Sequence, residues 1–136
     1  MQVTSILETA LSVDDLSASA AFYRRLFGFD TLFENERLIA LNVASKNVLL
    51  LFKKGATEQA AETPGGVIPS HGATGRSHLA FSIAADDIEP WTKRLAAESV
   101  LIESTVSWPG KARSIYFRDP DQHLLELISP GFWAIY

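Results

Sequence analysis

The sequence predicts an α+β domain made of two tandem β-α-β-β-β units, with a small-molecule site between them. Three observations carry this expectation. An apolar strand, an Asp-Asp pair, an amphipathic helix and three further short strands occur in that order twice. A Gly- and Pro-rich stretch separates the two copies. The copies also align residue by residue, which is the kind of self-similarity that fixes organisation before detail.

The first copy spans about residues 4–55. Residues 5–13 (SILETALSV) read as a strand. Asp14-Asp15 offer capping oxygens to LSASAAFYRRLF, where Leu16, Ala20, Tyr23 and Phe27 share one helical face. Gly28 suits the end of that helix, because glycine enters the left-handed region cheaply. Three strands follow at 29–34, 37–43 and 47–53, separated by turns at Asn35-Glu36 and Ala44-Ser45-Lys46. Residues 55–76 hold Gly55, Pro64, Gly65, Gly66, Pro69, Gly72 and Gly75 and read as a structureless linker.

The second copy spans about residues 77–130. SHLAFSIA (77–84) reads as a strand, and Asp86-Asp87 are expected to cap a helix beginning IEPW. Ile88, Trp91 and Leu95 share its inner face, and Pro90 lies in the first turn, where its missing N–H is tolerated. Strands at 99–108, 113–118 and 123–129 complete the copy, the last two joined by Asp119-Pro120-Asp121-Gln122. Residues 131–136 form an apolar tail that could pack on its own sheet or on a partner.

Composition narrows the function. The chain has 136 residues, enough to bury a core without staples. Its net charge is −4, and its basic residues form only short pairs such as Arg24-Arg25 and Lys53-Lys54, which argues against nucleic acid. Cysteine is absent, so disulfides, thiolate zinc sites and cysteine nucleophiles are excluded. No basic-then-apolar start and no long apolar run occur, so neither a signal peptide nor a membrane helix is expected. A cytoplasmic location is the matching expectation. No nucleotide-cradling glycine loop or nucleophile elbow appears.

The alignment of the copies also points to chemistry. Glu8 lies over His78, and Leu50 over Glu126. Charges in otherwise apolar strands are costly unless paired, hydrogen-bonded or metal-bound. Equivalent positions meeting near a pseudo-twofold axis would bring Glu8, His78 and Glu126 together as ligands for a divalent metal. Two carboxylates and one imidazole favour manganese, iron(II) or magnesium over zinc. Plainer roles stay open: Glu126 facing solvent on an edge strand, His78 bonded to a backbone carbonyl, Glu8 paired with an arginine. Tyr116, Arg113, Trp108 and His71 are the candidates for substrate contacts. Arg113 and Tyr116 have opposite strand parity, Trp108 could wall a pocket or simply pack, and His71 could act as a lid. His123 reads as solvated, and Arg118 as an ion pair with Asp119.

ETALSVDDLSASAAFYRRLFGF and RSIYFRDPDQHLLELISPG together resemble the opening and closing segments of the vicinal oxygen chelate superfamily. That superfamily includes glyoxalase I, fosfomycin-resistance proteins, extradiol dioxygenases and bleomycin-resistance proteins. The resemblance implies curled mixed sheets around a shared pocket, frequent homodimers, and metal ligands on the first and last strands of each module. Carried onto this chain, those positions are Glu8, Leu50, His78 and Glu126. Glu8 stands where many metal-dependent members have His, and Leu50 where glyoxalase I has a carboxylate. At most three protein ligands are therefore expected. Two functions compete: a metal-dependent enzyme acting on a small molecule with vicinal oxygens, and a metal-free, bleomycin-resistance-like binding protein. In the second, Phe33, Trp91, Trp108 and Trp133 would supply aromatic walls and the acidic balance would suit a cationic ligand.

Overall fold

The computed structural model describes all 136 residues and divides into two compact units, Met1–Gly75 and Arg76–Tyr136. The first contains β1 (Glu8–Val13), α1 (Leu16–Phe27), β2 (Thr31–Glu34), β3 (Leu38–Val43), β4 (Asn47–Lys53), β5 (Ala61–Thr63) and β6 (Gly66–Ile68). The second contains β7 (His78–Ser82), α2 (Ile88–Ala97), β8 (Ile102–Ser107), β9 (Arg113–Arg118) and β10 (Leu124–Ile128). Each unit has a four-stranded mixed sheet, in the orders β1-β4-β3-β2 and β7-β10-β9-β8. In each, the first and last strands of the module pair in parallel, and the remaining neighbours are antiparallel. The expected α+β architecture of two β-α-β-β-β modules is what the chain adopts.

Helix α1 forms where the capping signals stand. Asp15 is extended, and its carboxylate accepts the Ala18 N–H at 3.0 Å. Gly28 ends the helix at φ 72°, its N–H bonded to the Arg24 carbonyl at 2.9 Å. The buried stripe is broader than the spacing suggests: Ala20 and Tyr23 join Ser19, Phe22 and Leu26, while Leu16 and Phe27 are half-buried. Against it lies the inner face of β3 and β4. Leu11, Val13, Ile39, Leu41, Leu49 and Leu51 alternate along their strands and are all 2% exposed or less.

The second unit repeats this layering. Ile88 and Leu95 of α2 are buried with Ile115, Phe117, Leu125 and Leu127. Four details differ from expectation. The supposed linker carries a short hairpin, β5–β6, turned at Pro64-Gly65. Asp87 provides no side-chain cap; Ala85–Asp87 instead form a 3-10 turn that leads into α2. His123 is 1% exposed rather than solvated, because its Nδ1 accepts the Ser77 N–H at 2.9 Å. Arg118 grips Glu103 on β8 with a fork of two hydrogen bonds, at 2.7 and 3.1 Å, while buried Asp119 accepts the N–H groups of Asp121 and His123. In the tail, Trp133 is exposed. No helix is long and apolar enough to cross a membrane.

Candidate functional site

Strand β10 sits between β7 and β9, so a side chain at its middle is enclosed by both neighbours. Glu126 holds that position and is 6% exposed. Its cross-strand partner is Tyr116, and the pair Ile128 and Ser114 lies one step along the same face. Both hydroxyls turn to one oxygen: Ser114 donates to Glu126 Oε1 at 2.6 Å and Tyr116 at 2.9 Å. The Trp108 indole N–H donates to Ser114 Oγ at 2.8 Å.

The other oxygen faces the imidazole. His78 begins β7 beside Leu124, and its Nε2 lies 3.2 Å from Glu126 Oε2. Its Nδ1 lies 3.1 Å from the Leu124 carbonyl oxygen. A carbonyl only accepts, so Nδ1 carries a proton in that bond. In the neutral ring Nε2 then points a lone pair at a carboxylate oxygen. Two acceptors so placed need a positive charge, either a proton on the imidazole or a cation that both atoms ligate. A metal-ligating histidine usually has one ring nitrogen tied to a backbone carbonyl or carboxylate, as Nδ1 is here, which leaves the other, facing Glu126, to meet the ion. The donor set therefore fits a divalent cation.

Burial holds the Tyr116 phenol above the ordinary tyrosine value, and its bond to Glu126 adds to the shift. A folded value above the unfolded one means that the favourable contribution is complete below about pH 10 and is lost as pH rises through the folded value. A tyrosinate absorbance titration of the wild type against Tyr116→Phe is expected to show one phenol ionising later than free tyrosine. Ionisation of Tyr116 at or below pH 10 would contradict this.

The first unit shows the same frame without the polar network. Glu8 pairs with Val48 as His78 pairs with Leu124, and Leu50 pairs with Ala40 as Glu126 pairs with Tyr116. Glu8 is exposed at the start of β1. No group of three His, Cys, Asp or Glu side chains is assembled within either unit. Arg113 points away from the network and binds Glu89 of α2 at 2.6 Å, which holds the Glu89 carboxyl below its ordinary range. His71 lies edge-on against Phe52, with ring centroids 5.2 Å apart. Both line a cavity of about 360 Å³ in the first unit, with Phe33, Leu38, Ile68 and Pro69. Ser114 escaped the reading of the sequence, although its two-residue spacing from Tyr116 puts both on one face of β9.

Residues 5–127 match the Glyoxalase/Bleomycin resistance protein/Dioxygenase superfamily. The chain belongs to that superfamily. It is 30% identical over 128 residues to the metallothiol transferase FosB of Staphylococcus epidermidis, covering 93% of this chain and 82% of that one. FosB of Bacillus licheniformis is 29% identical over 127 residues, covering 93% and 75%. The crystal structure of lactoylglutathione lyase from Agrobacterium tumefaciens superposes with a TM-score of 0.89 at 31% identity, covering 98% and 99% of the two chains. The fosfomycin resistance protein FosX of Listeria monocytogenes shares the fold, with a TM-score of 0.71 at 20% identity over 96% and 97%.

Proposed function

We propose that this superfamily member is a metal-dependent enzyme acting on a small molecule with vicinal oxygens, its divalent ion held by His78, Glu126 and Glu8. The observation that carries the reading is the opposed pair His78 Nε2 and Glu126 Oε2, 3.2 Å apart, with the remaining Nδ1 and Oε1 atoms already engaged. Glu8 enters because it occupies in the first module the register position that His78 occupies in the second. The similarity to a metallothiol transferase supports metal-dependent chemistry.

A bound ion there supplies a Lewis acid that polarises a substrate oxygen or lowers the pKa of bound water. Manganese, iron(II), magnesium and zinc are the candidates, and the oxygen-rich ligand set favours the first three. Tyr116 keeps its proton at neutral pH, so its hydroxyl can hydrogen-bond a substrate oxygen if it leaves Glu126. Trp108 supports Glu126 through Ser114. A homodimer completes the proposal, supported by exposed Val3, Ile6, Leu7 and Phe33 on the first unit, and a cytoplasmic location is proposed with it.

The cavity lined by His71 supports a second reading, a metal-free binding protein. Metal titration decides between them. Chelator-treated protein is expected to bind about one Mn(II), Fe(II), Zn(II) or Mg(II) ion per chain, and to bind it more weakly in each of His78→Ala, Glu126→Ala and Glu8→Ala. At a free-ion concentration of 100 Kd the folded state gains about 2.7 kcal/mol, which a thermal-shift assay reads easily. Absence of binding by all four ions would overturn the enzyme reading. Unchanged affinity in Glu8→Ala would remove Glu8 from the ligand set.

A further inference from the structure

The second unit contains a run of contacts that leads from its last residues to Glu126. Residues 108–112 and 130–132 meet at backbone distance. A Cβ on Gly110 would stand 2.8 Å from the Gly131 carbonyl oxygen, and one on Gly131 would stand 3.0 Å from the Gly110 oxygen. Both glycines also have positive φ, 83° and 107°, which side chains rarely adopt. Trp108 starts this loop, its N–H bonded to the Ala112 carbonyl at 2.8 Å. Phe132 covers the indole with ring centroids 4.4 Å apart. The segment is held at its far end by Tyr136, whose hydroxyl donates to the Ile83 carbonyl at 2.5 Å.

The indole so fixed has one polar atom, and it only donates. Its N–H occupies a lone pair of Ser114 Oγ. A serine hydroxyl has a single proton, and here that proton goes to Glu126 Oε1. Donation therefore runs one way, indole to hydroxyl to carboxylate, and the indole bond holds the hydroxyl in the orientation that serves Oε1. With the Tyr116 hydroxyl on the same oxygen, Oε1 is satisfied twice and Oε2 alone faces His78.

We propose that Trp108, clamped by residues 130–136, is a positioning residue that makes Glu126 a one-oxygen ligand through Oε2. This rests on the metal reading above. Its prediction concerns affinity for the ion and not turnover. Removing a partner bonded directly to a ligand, as Ser114 is to Glu126, typically alters metal affinity by about 10–100-fold, and Trp108 acts through that partner. Because Trp108 acts through Ser114, its effect vanishes once the hydroxyl is gone.

The experiment is a Mn(II) titration of wild type, Trp108→Phe, Ser114→Ala and the double variant, with the melting temperature of each metal-free protein recorded. Trp108→Phe is expected to weaken Mn(II) binding about 10-fold or more. The double variant is expected to bind no more weakly than Ser114→Ala. Affinity of Trp108→Phe within about twofold of wild type, or penalties that multiply in the double variant, would overturn the proposal. Should Trp108→Phe melt early, site-specific benzothienylalanine at 108 keeps the shape and removes only the N–H. The same loss of affinity supports positioning, and full affinity overturns it. A wild type that binds no ion overturns the metal reading itself, whereas wild-type binding with an unaffected Trp108→Phe overturns only the role of Trp108.

Discussion

Glu126→Leu is expected to abolish tight metal binding while leaving the metal-free fold nearly as stable as the wild type. The substitution installs at β10 the residue that the first module carries at the equivalent point of β4, Leu50. Two effects oppose each other in the folded state. Removing the carboxylate lifts the cost of desolvating a buried charge, and His78, about half exposed, can turn its ring to water instead of being left as a buried unpaired charge. The Ser114 and Tyr116 hydroxyls lose their acceptor, and a buried unsatisfied group costs about 1–3 kcal/mol. Tyr116 is half-buried and can turn to water, so the full penalty falls on Ser114 alone. The net change is therefore within about 2 kcal/mol in either direction. Affinity for the ion should fall by more than the roughly 10–100-fold that loss of a supporting contact costs, because the proposed ligand atom itself is removed. Calorimetric metal titration and urea unfolding of the same variant read the two effects separately. Wild-type affinity would show that Glu126 is no ligand. A loss of several kcal/mol would show that the carboxylate is part of the architecture.

Phe117→Ala should have the largest effect on stability. Phe117 is fully buried in β9, opposite Leu125 of β10. The same pairing occurs in the first module between Leu41 and Leu49, also buried, so this contact sits at the repeated centre of both sheets. Truncating a buried phenylalanine costs about 3–5 kcal/mol, from lost transfer energy and the cavity left behind. For a chain of this size that lowers the melting temperature by about 10–20 °C. Differential scanning calorimetry measures it. A shift of only a few degrees would mean that neighbouring side chains close the cavity.

The repeat was the most legible feature, and the strand registers explain why. Aligning Glu8 with His78 and Leu50 with Glu126 predicts that each pair holds the same place in its sheet, and the ladders place them so. Helix α1 was legible because its cap and its glycine stop are local signals. The β5–β6 hairpin was hidden because three-residue strands show no measurable alternation, and Pro64-Gly65-Gly66 looks the same in a loop as in a turn. His123 was misread because the Ser77 N–H that it accepts lies 46 positions away. A different limit hid the link from Trp108 to Ser114, which lie only six positions apart. Parity shows which face a residue is on, but not that an indole from a neighbouring loop will reach it. Arg113 was separated from Tyr116 by parity alone, and it does lie on the other face, bound to Glu89.

The parallel pairing of β7 with β10 has a consequence for the order of assembly. Strands β8, β9 and β10 follow one another through short connections and can zip as hairpins. Docking β7 onto β10 joins His78 to residues 46 positions further along, the long closure whose entropy must be met before it is rewarded. His78 and Glu126 therefore meet only when the module is complete. A partly folded chain offers an ion isolated single ligands, and the finished module offers a pair. Ligation would then act as a late latch, slowing reopening of the closed module far more than it speeds closing.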